Sequence, residues 1–300
     1  MQPRHILSAL IALGLSATAT ASQTVHLPDY WCGGTESIFA DGYETGGVFT
    51  SDSSQGTDGT WPGESVRSYA LGSLGQVIYY AYVPPQYNPA QAMPLMLVLH
   101  GTAGAGNAAQ AAAATRENWE SAADARGLII IAPVASGQQY GSWDVPYPDY
   151  DKLESAWNDA ATRWNIERNR RSIWGFSAGG HIVWDMLLNH DPLTYPTAFH
   201  AGTLASMSTS AANSGFACDF GPTPCSTRFA NLPRKVPVNI HIGTSDGNYA
   251  WAADDYQRLL ANGWQPGRNL SYNPFSGGHT YLPAHLQHVA NFACGFAVQP

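Results

Sequence analysis

The apolar positions fall into two spacings that alternate along most of the chain. Short continuous runs such as Leu95 to Leu99 and Leu128 to Ala132, with the β-branched and aromatic stretch Gln76 to Val83, have the pattern of strands buried on both faces of a parallel sheet. Between the first two lies an Ala-rich segment, Asn107 to Arg126, which contains Trp119 and is closed by Gly127; this predicts a helix, and hence a β-α-β unit. In Asp151 to Trp164 the apolar side chains recur at Leu153, Ala156, Trp157, Ala160, Ala161 and Trp164, the stripe of a second helix. The alternation continues as strand Ser172 to Gly175, helix Ala178 to Asn189, strand His200 to Ala205, strand Val236 to Gly243, helix Trp251 to Ala261, strand Asn269 to Phe275 and helix Pro283 to Phe292. Such alternation predicts an α/β fold, a mainly parallel sheet flanked by helices. At 300 residues, 44% of them hydrophobic, the chain is large enough for one such domain with a closed core.

Three stretches depart from this pattern. Residues 1 to 21 run from Arg4 and His5 through the apolar Ile6 to Leu15 into Ala19-Thr20-Ala21, the order of a secretory signal peptide. A membrane anchor needs about 20 apolar residues, roughly twice this run. Residues 22 to 65 are dense in Gly, Ser, Thr and Asp and read as an irregular arm preceding a catalytic domain at 66 to 300. Its aromatic residues Trp31, Phe39, Tyr43, Phe49 and Trp61 have two possible roles, packing onto the domain or forming a sugar-binding surface. Ser206 to Pro233 turns to Ser, Asn, Gly and Pro and reads as a long loop.

Charge and cysteine content narrow the setting. Charged residues make up 12% of the chain and the formal net charge is -8, which disfavours a nucleic-acid partner. Arg168, Arg170 and Arg171 form the one basic run of note and read as solvated turn residues. Four cysteines in an exported chain predict two disulfides. The short spacing of Cys218 and Cys225 favours a local staple, leaving Cys32 and Cys294 to tie the arm to the last helix. No CxxC spacing or histidine pattern suggests zinc.

The candidate chemistry centres on Gly175-Phe176-Ser177-Ala178-Gly179, a GxSxG motif between a predicted strand and a predicted helix. A serine on such an elbow is thrust out at a helix N-terminus, and its neighbours must be small. It needs a base to take its proton and an acid to orient that base. The strand Val236 to Gly243 runs into Thr244-Ser245-Asp246, so Asp246 lies at a strand C-terminal end, whereas Asp254 and Asp255 fall inside a helix pattern. Gly277-Gly278-His279-Thr280 follows the last strand and gives His279 a loop that can reach over the serine. Thr102, in the small-residue loop after Leu95 to Leu99, and Ala178, after the serine, supply backbone N–H groups for an oxyanion hole. His100 reads as a structural residue shaping that loop. Trp143 is a candidate for the acyl or sugar pocket, with plain packing as its competing role.

These motifs, together with Leu99-His100-Gly101-Thr102, the lead-in from Trp164-Asn165-Ile166 to Arg171, and Tyr281 after His279, resemble the secreted polyhydroxybutyrate depolymerase-like esterases, a family that merges with feruloyl and acetylxylan esterases. The resemblance covers about Val77 to Phe292. It implies an α/β-hydrolase fold and a Ser177, Asp246, His279 triad that hydrolyses carboxylic esters through an acyl-enzyme without metal or organic cofactor. Two features depart from the family: His181 stands where a small or apolar residue is usual, and the chain ends at Pro300 without the linker and adsorption domain common in polymer-degrading members. The reading is therefore a secreted or periplasmic esterase acting on small or polymeric esters, with neither a nucleic-acid partner nor a membrane anchor. An amide hydrolase such as a peptidase or poly(aspartic acid) hydrolase is the enzymatic rival, and a non-catalytic binding module of the same fold is the other.

Overall fold

A computed structural model describes residues 23–26, 32, 51–145, 148–188, 203–219, 224–232 and 234–299. The signal peptide read at 1 to 21 and the arm aromatics Trp31, Phe39, Tyr43 and Phe49 lie outside them, as do His200 and Asn189. The strands are β1 (Gln23–His26), β2 (Gly63–Ala70), β3 (Gln76–Val83), β4 (Met93–Leu99), β5 (Ile129–Pro133), β6 (Ile166–Phe176), β7 (Ser206–Ser210), β8 (Val238–Gly243), β9 (Leu270–Phe275) and β10 (Phe296–Gln299). The α-helices are α1 (Ala108–Arg126), α2 (Asp149–Arg163), α3 (Ala178–Leu188), α4 (Gly215–Asp219), α5 (Cys225–Ala230), α6 (Tyr249–Ala261) and α7 (Pro283–Cys294).

Eight strands form one sheet in the order β2-β3-β5-β4-β6-β7-β8-β9. From β5 to β9 all pairs are parallel, whereas β3 is antiparallel to both β2 and β5. Gln76 to Val83 was expected as a parallel strand; instead it turns tightly out of β2 through 71–75, and a connection that short joins only antiparallel neighbours. The continuous apolar runs divide by parity, as side chains on a strand must. Leu95, Leu97 and Leu99 of β4 join Ile129 and Ile131 of β5 in a core beneath α2, α3 and α6. Met96, Val98, Ile130 and Ala132 face the other way, into a core under α1 and α7. This is a three-layer α/β domain.

The polar appearance of two segments conceals buried strands. The strand expected at His200 to Ala205 is instead β7, Ser206–Ser210, inside the stretch read as loop, and the same stretch holds α4 and α5. Its Ser-Met-Ser-Thr-Ser sequence looks solvated, yet all five residues are buried; Ser206 Oγ pairs with Ser172 Oγ at 2.9 Å and Ser210 Oγ accepts the Trp174 Nε1–H at 3.1 Å. Small hydroxyl side chains that find partners can occupy a central strand. Likewise Arg168, Arg170 and Arg171 lie inside β6 and are not turn residues. Arg170 is buried and donates to the Cys294 carbonyl, while Arg171 lies 4.7 Å over the Trp157 ring. Their apolar stems cover hydrophobic surface, and burial pushes both guanidinium pKa values down to about 10.

Both disulfides join the expected partners. Cys218–Cys225 staples α4 to α5, and Cys32–Cys294, with Cα atoms 5.0 Å apart, ties the N-terminal segment to the end of α7. Beside it, β1 pairs antiparallel with β10. Residues 51–60 run along the α2–β6 connection: Ser54 N donates to Ile166 O, and Trp164 Nε1 to Thr60 O. Gly56 is pressed there so closely that a Cβ would stand 2.5 Å from the Trp164 carbonyl oxygen. Trp61 stays partly exposed, edge-on to Tyr87.

Trp174 is the centre of the α1–α7 core, fully buried, edge-on to both Trp119 and Tyr281. Trp174→Ala should cost about 3–5 kcal/mol of stability, seen as a lowered urea midpoint with unchanged slope. A loss below about 1 kcal/mol would contradict this packing.

Candidate active site

The C-terminal ends of β4, β6, β7, β8 and β9 open onto one cleft, and each contributes one part. β6 ends at Phe176, Ser177 takes φ 52°, and α3 starts at Ala178. A left-handed serine is strained. It is held by neighbours on both sides: Ser177 N donates to Ser210 O at 2.9 Å, and Ser177 O accepts His181 N at 3.0 Å. Gly179 lets the elbow nest against β4, since a Cβ there would lie 2.5 Å from Leu99 O and 2.7 Å from His100 O.

Asp246 follows β8 in a turn closed by Asp246 N to Gly243 O, and its carboxylate is almost fully buried. One oxygen, Oδ1, accepts Asn248 N at 2.8 Å; the other lies 2.9 Å from His279 Nδ1. His279 Nε2 lies 2.8 Å from Ser177 Oγ. Because a carboxylate can only accept, Nδ1 carries the proton and Nε2 accepts from the serine hydroxyl. The three side chains, more than 100 positions apart at their extremes, thus stand in one relay. The acid turn and the base loop are knitted together by Thr244 N to Phe275 O and Ser245 N to Gly277 O, both 2.8 Å. Phe176 lies against the His279 ring at 5.3 Å and against Tyr281 at 5.0 Å, fixing the loop from below.

The remaining candidates surround the serine. Ala178 N lies at the head of α3, and Thr102 is exposed in the loop after β4, whose Gly101 stands so close that a Cβ would come 3.1 Å from Ser177 Cβ. His100 is buried with Nδ1 2.6 Å from Gly101 O and Nε2 accepting Ala135 N at 3.3 Å, so it is a neutral Nδ1–H tautomer; burial lowers its pKa. Trp143 donates from Nε1 to His100 O at 2.9 Å and packs on the His100 ring at 4.9 Å, which makes it a wall of this loop. His181 donates from Nδ1 to Asn213 O at 2.8 Å, and burial lowers its pKa, with His279 adding to the effect.

Two supports have no signal in the sequence. Asn248 donates its side-chain N–H to Ala211 O at 3.1 Å and accepts from Asn213 Nδ2 at 2.8 Å, which pins the acid turn to the end of β7. Asp149, buried at the start of α2, accepts from Ser136 N and Asp144 N and so folds the loop that presents Trp143; burial raises its pKa. Both occur in polar stretches where an Asn or Asp reads as solvated.

No family model and no curated relative matches the chain. Solved structures do match. A ferulic acid esterase is 15% identical with TM-score 0.57, covering 77% of this chain and 96% of its own. The feruloyl esterase module from Clostridium thermocellum, complexed with sinapinate, is 15% identical with TM-score 0.55, covering 82% and 91%. A poly(3-hydroxybutyrate) depolymerase from Bordetella parapertussis is 18% identical with TM-score 0.53, covering 77% and 89%. The chain has the α/β-hydrolase fold.

Buried histidines kept neutral make stability depend on pH. His100, His181 and His241 all have lowered pKa values, His241 to about 3, chiefly through burial. Their unfolded value is near 6.5, so their contribution is present above that pH and is lost as pH falls below it. Urea midpoints should fall from pH 7 to pH 5, with His241 contributing up to about 1.4 kcal/mol per pH unit once below about pH 6. His241→Gln should flatten that dependence. Asp149 and Asp255, whose pKa values burial raises, act in the opposite direction in the carboxylate range. A midpoint independent of pH between 7 and 5 would refute the assignment.

Proposed function

We propose that this chain is an exported serine esterase that hydrolyses carboxylic esters of short-chain, feruloyl, acetyl or hydroxyalkanoate type. The observation carrying this reading is the relay from Ser177 Oγ through His279 to Asp246, with steps of 2.8 and 2.9 Å, at the mouth of the sheet. His279 Nε2 takes the serine proton as Oγ attacks the ester carbonyl, and Asp246 stabilises the imidazolium that results. The N–H groups of Ala178 and Thr102 hold the oxyanion, each worth roughly 3 kcal/mol in the transition state. Collapse expels the alcohol, which takes its proton from His279. Water, deprotonated by the same histidine, then releases the acid from the acyl-enzyme. Every step uses residues of this chain, and none calls on a cofactor.

Trp143 is proposed to wall the acyl side of the cleft, because its anchor on His100 O places it beside the oxyanion loop. The relatives in fold include proteins described as feruloyl esterases and as a hydroxybutyrate polymer depolymerase, which supports esters over amides. The net charge of -8 counts against a polyanionic amide such as poly(aspartic acid). Export rests on the basic, apolar and Ala-x-Ala order of residues 1 to 21 and agrees with two disulfides. In this reading the exported protein begins at Ser22, with the catalytic domain from about residue 66.

Ser177→Ala should abolish hydrolysis of p-nitrophenyl butyrate and labelling by a fluorophosphonate while the thermal melt is retained. Turnover by the variant would overturn the nucleophile, and a wild-type chain that does not react with the probe would point to a binding module. Asp246→Asn should lower kcat by about 10⁴-fold with little change in KM. Comparing kcat/KM on feruloyl, acetyl-xylan, p-nitrophenyl and hydroxybutyrate-oligomer esters tests the substrate, and N-terminal sequencing of the exported protein tests cleavage after Ala21.

A further inference from the structure

The relay of Ser177, His279 and Asp246 has a second hydrogen-bonded path behind it. It starts on α3, one turn after the nucleophile, where His181 N donates to Ser177 O at 3.0 Å. The ring of the same residue donates from Nδ1 to Asn213 O at 2.8 Å, because a carbonyl can only accept. Asn213 Nδ2 donates to Asn248 Oδ1 at 2.8 Å, and Asn248 N donates to Asp246 Oδ1, also at 2.8 Å. Together with the two steps through His279, these contacts close a ring of six residues.

Both amides in the ring have a fixed orientation. Gly215 N–H only donates, so the Asn213 atom 2.7 Å from it is the oxygen, and the one facing Asn248 is the N–H₂. Ala211 O only accepts, so the Asn248 atom 3.1 Å from it is the N–H₂, and the one facing Asn213 is the oxygen. Turning either amide over would set donor against donor or acceptor against acceptor. The segment that carries these groups is constrained in turn. Ala211, next after β7, holds φ 54°, a left-handed value for a residue with a side chain, and donates its N–H to His241 O at 3.0 Å. The segment is pressed against α3, since a Cβ on Gly180 would stand 2.5 Å from Ala212 Cβ. Ala211, Ala212, Asn213 and Ser214 are all buried, so water does not compete for these bonds.

We infer that His181 is a positioning residue for the hydrolysis: through Asn213 and Asn248 it sets the spacing between the nucleophile elbow and the acid turn, and so where His279 stands over Ser177. The inference rests on Ser177, His279 and Asp246 being the catalytic relay proposed above. Asp246 orients the base, so a shift of its turn carries Nε2 away from Oγ, and a misplacement of about 1 Å costs on the order of 10²-fold in rate. An apolar side chain at 181 would fill the same space but would not tie Asn213 to α3. His181 itself neither touches substrate nor takes a proton in this scheme; it acts through the acid.

His181→Leu and His181→Asn separate this role from packing. The amide nitrogen of Asn stands two bonds from Cβ, as Nδ1 of His does, so His181→Asn keeps a donor where His181→Leu removes it. His181→Leu should lower kcat for p-nitrophenyl butyrate and the rate of fluorophosphonate labelling by about tenfold or more, with KM changed less than about twofold, and His181→Asn should restore both to within about threefold of the wild type. In the Asn248→Ala background, where the brace is already open, His181→Leu should cost less than about twofold more. Hydrogen–deuterium exchange of the acid turn, Gly243 to Tyr249, should speed up in His181→Leu and recover in His181→Asn. All variants are compared below their melting temperatures, so that a lowered melt does not decide the outcome. An unchanged kcat in His181→Leu, a loss that His181→Asn does not restore, or a full further loss in the Asn248→Ala background would overturn the inference. A wild-type chain that is not labelled would overturn the Ser177 reading and the positioning role with it, whereas unchanged exchange in His181→Leu would overturn the brace alone.

Discussion

The whole cleft depends on one backbone constraint, the left-handed turn at Ser177 between β6 and α3. A serine at φ 52° is held against its own preference, so the structure must supply contacts that outweigh the strain. It does so by bringing three other strand ends against the turn. Ser210 of β7 receives its N–H, the Leu99 and His100 carbonyls of β4 abut Gly179, and the base loop after β9 crosses Gly243 at the end of β8 so closely that a Cβ there would stand 2.3 Å from Gly278 O. The elbow is thus the point around which the other loops are registered.

The electrostatic arrangement follows from that packing. Asp246 is buried, and its carboxylate oxygens have two partners, Asn248 N and His279 Nδ1. His279 is half exposed, so its ring can meet a substrate while Phe176 and Tyr281 hold its loop. The nearby histidines that do not belong to the relay have each been fixed in one tautomer by a backbone group: His100 by Gly101 O and Ala135 N, His181 by Asn213 O. With those imidazoles tied elsewhere, His279 is the described histidine whose ring nitrogen meets Ser177 Oγ.

What the sequence displayed and what it hid divide along physical lines. The buried runs of β4 and β5 and the stripes of α1 and α2 are legible because hydrophobicity and periodicity coincide there. Ser177, Asp246 and His279 stand at strand ends followed by Gly-rich turns, where their placement depends on chain order and not on side-chain packing. β7 was hidden because it buries hydroxyl side chains, Ser206 bonded to Ser172 and Ser210 to Trp174 while Ser208 and Thr209 are buried without a hydrogen-bond partner among the described residues, and period reading scores a serine as polar wherever it sits. Arg170 and Arg171 were hidden for the related reason that a long side chain can bury its stem and its charge in different places. Asn248 and Asp149 act by holding backbone N–H and C=O groups of loops distant in sequence, and no local pattern encodes such partners.

The same reasoning accounts for how a chain with 12% charged residues keeps its loops ordered. Surface ion pairs contribute little in any case, typically under about 1 kcal/mol each. Here the loops around the cleft are instead tied by side chains to backbone groups: Asp149 to the 136–144 loop, Asn248 to Ala211 just after β7, Asn213 to Gly215 at the head of α4, and Asp255 to Ser214 beside the Cys218–Cys225 staple. A charge spent in this way is shielded from salt and from solvent competition, since its partners are inside the protein. Such ties keep the strained serine aligned, because they fix geometry through contacts that neither ionic strength nor a polar surface can dissolve.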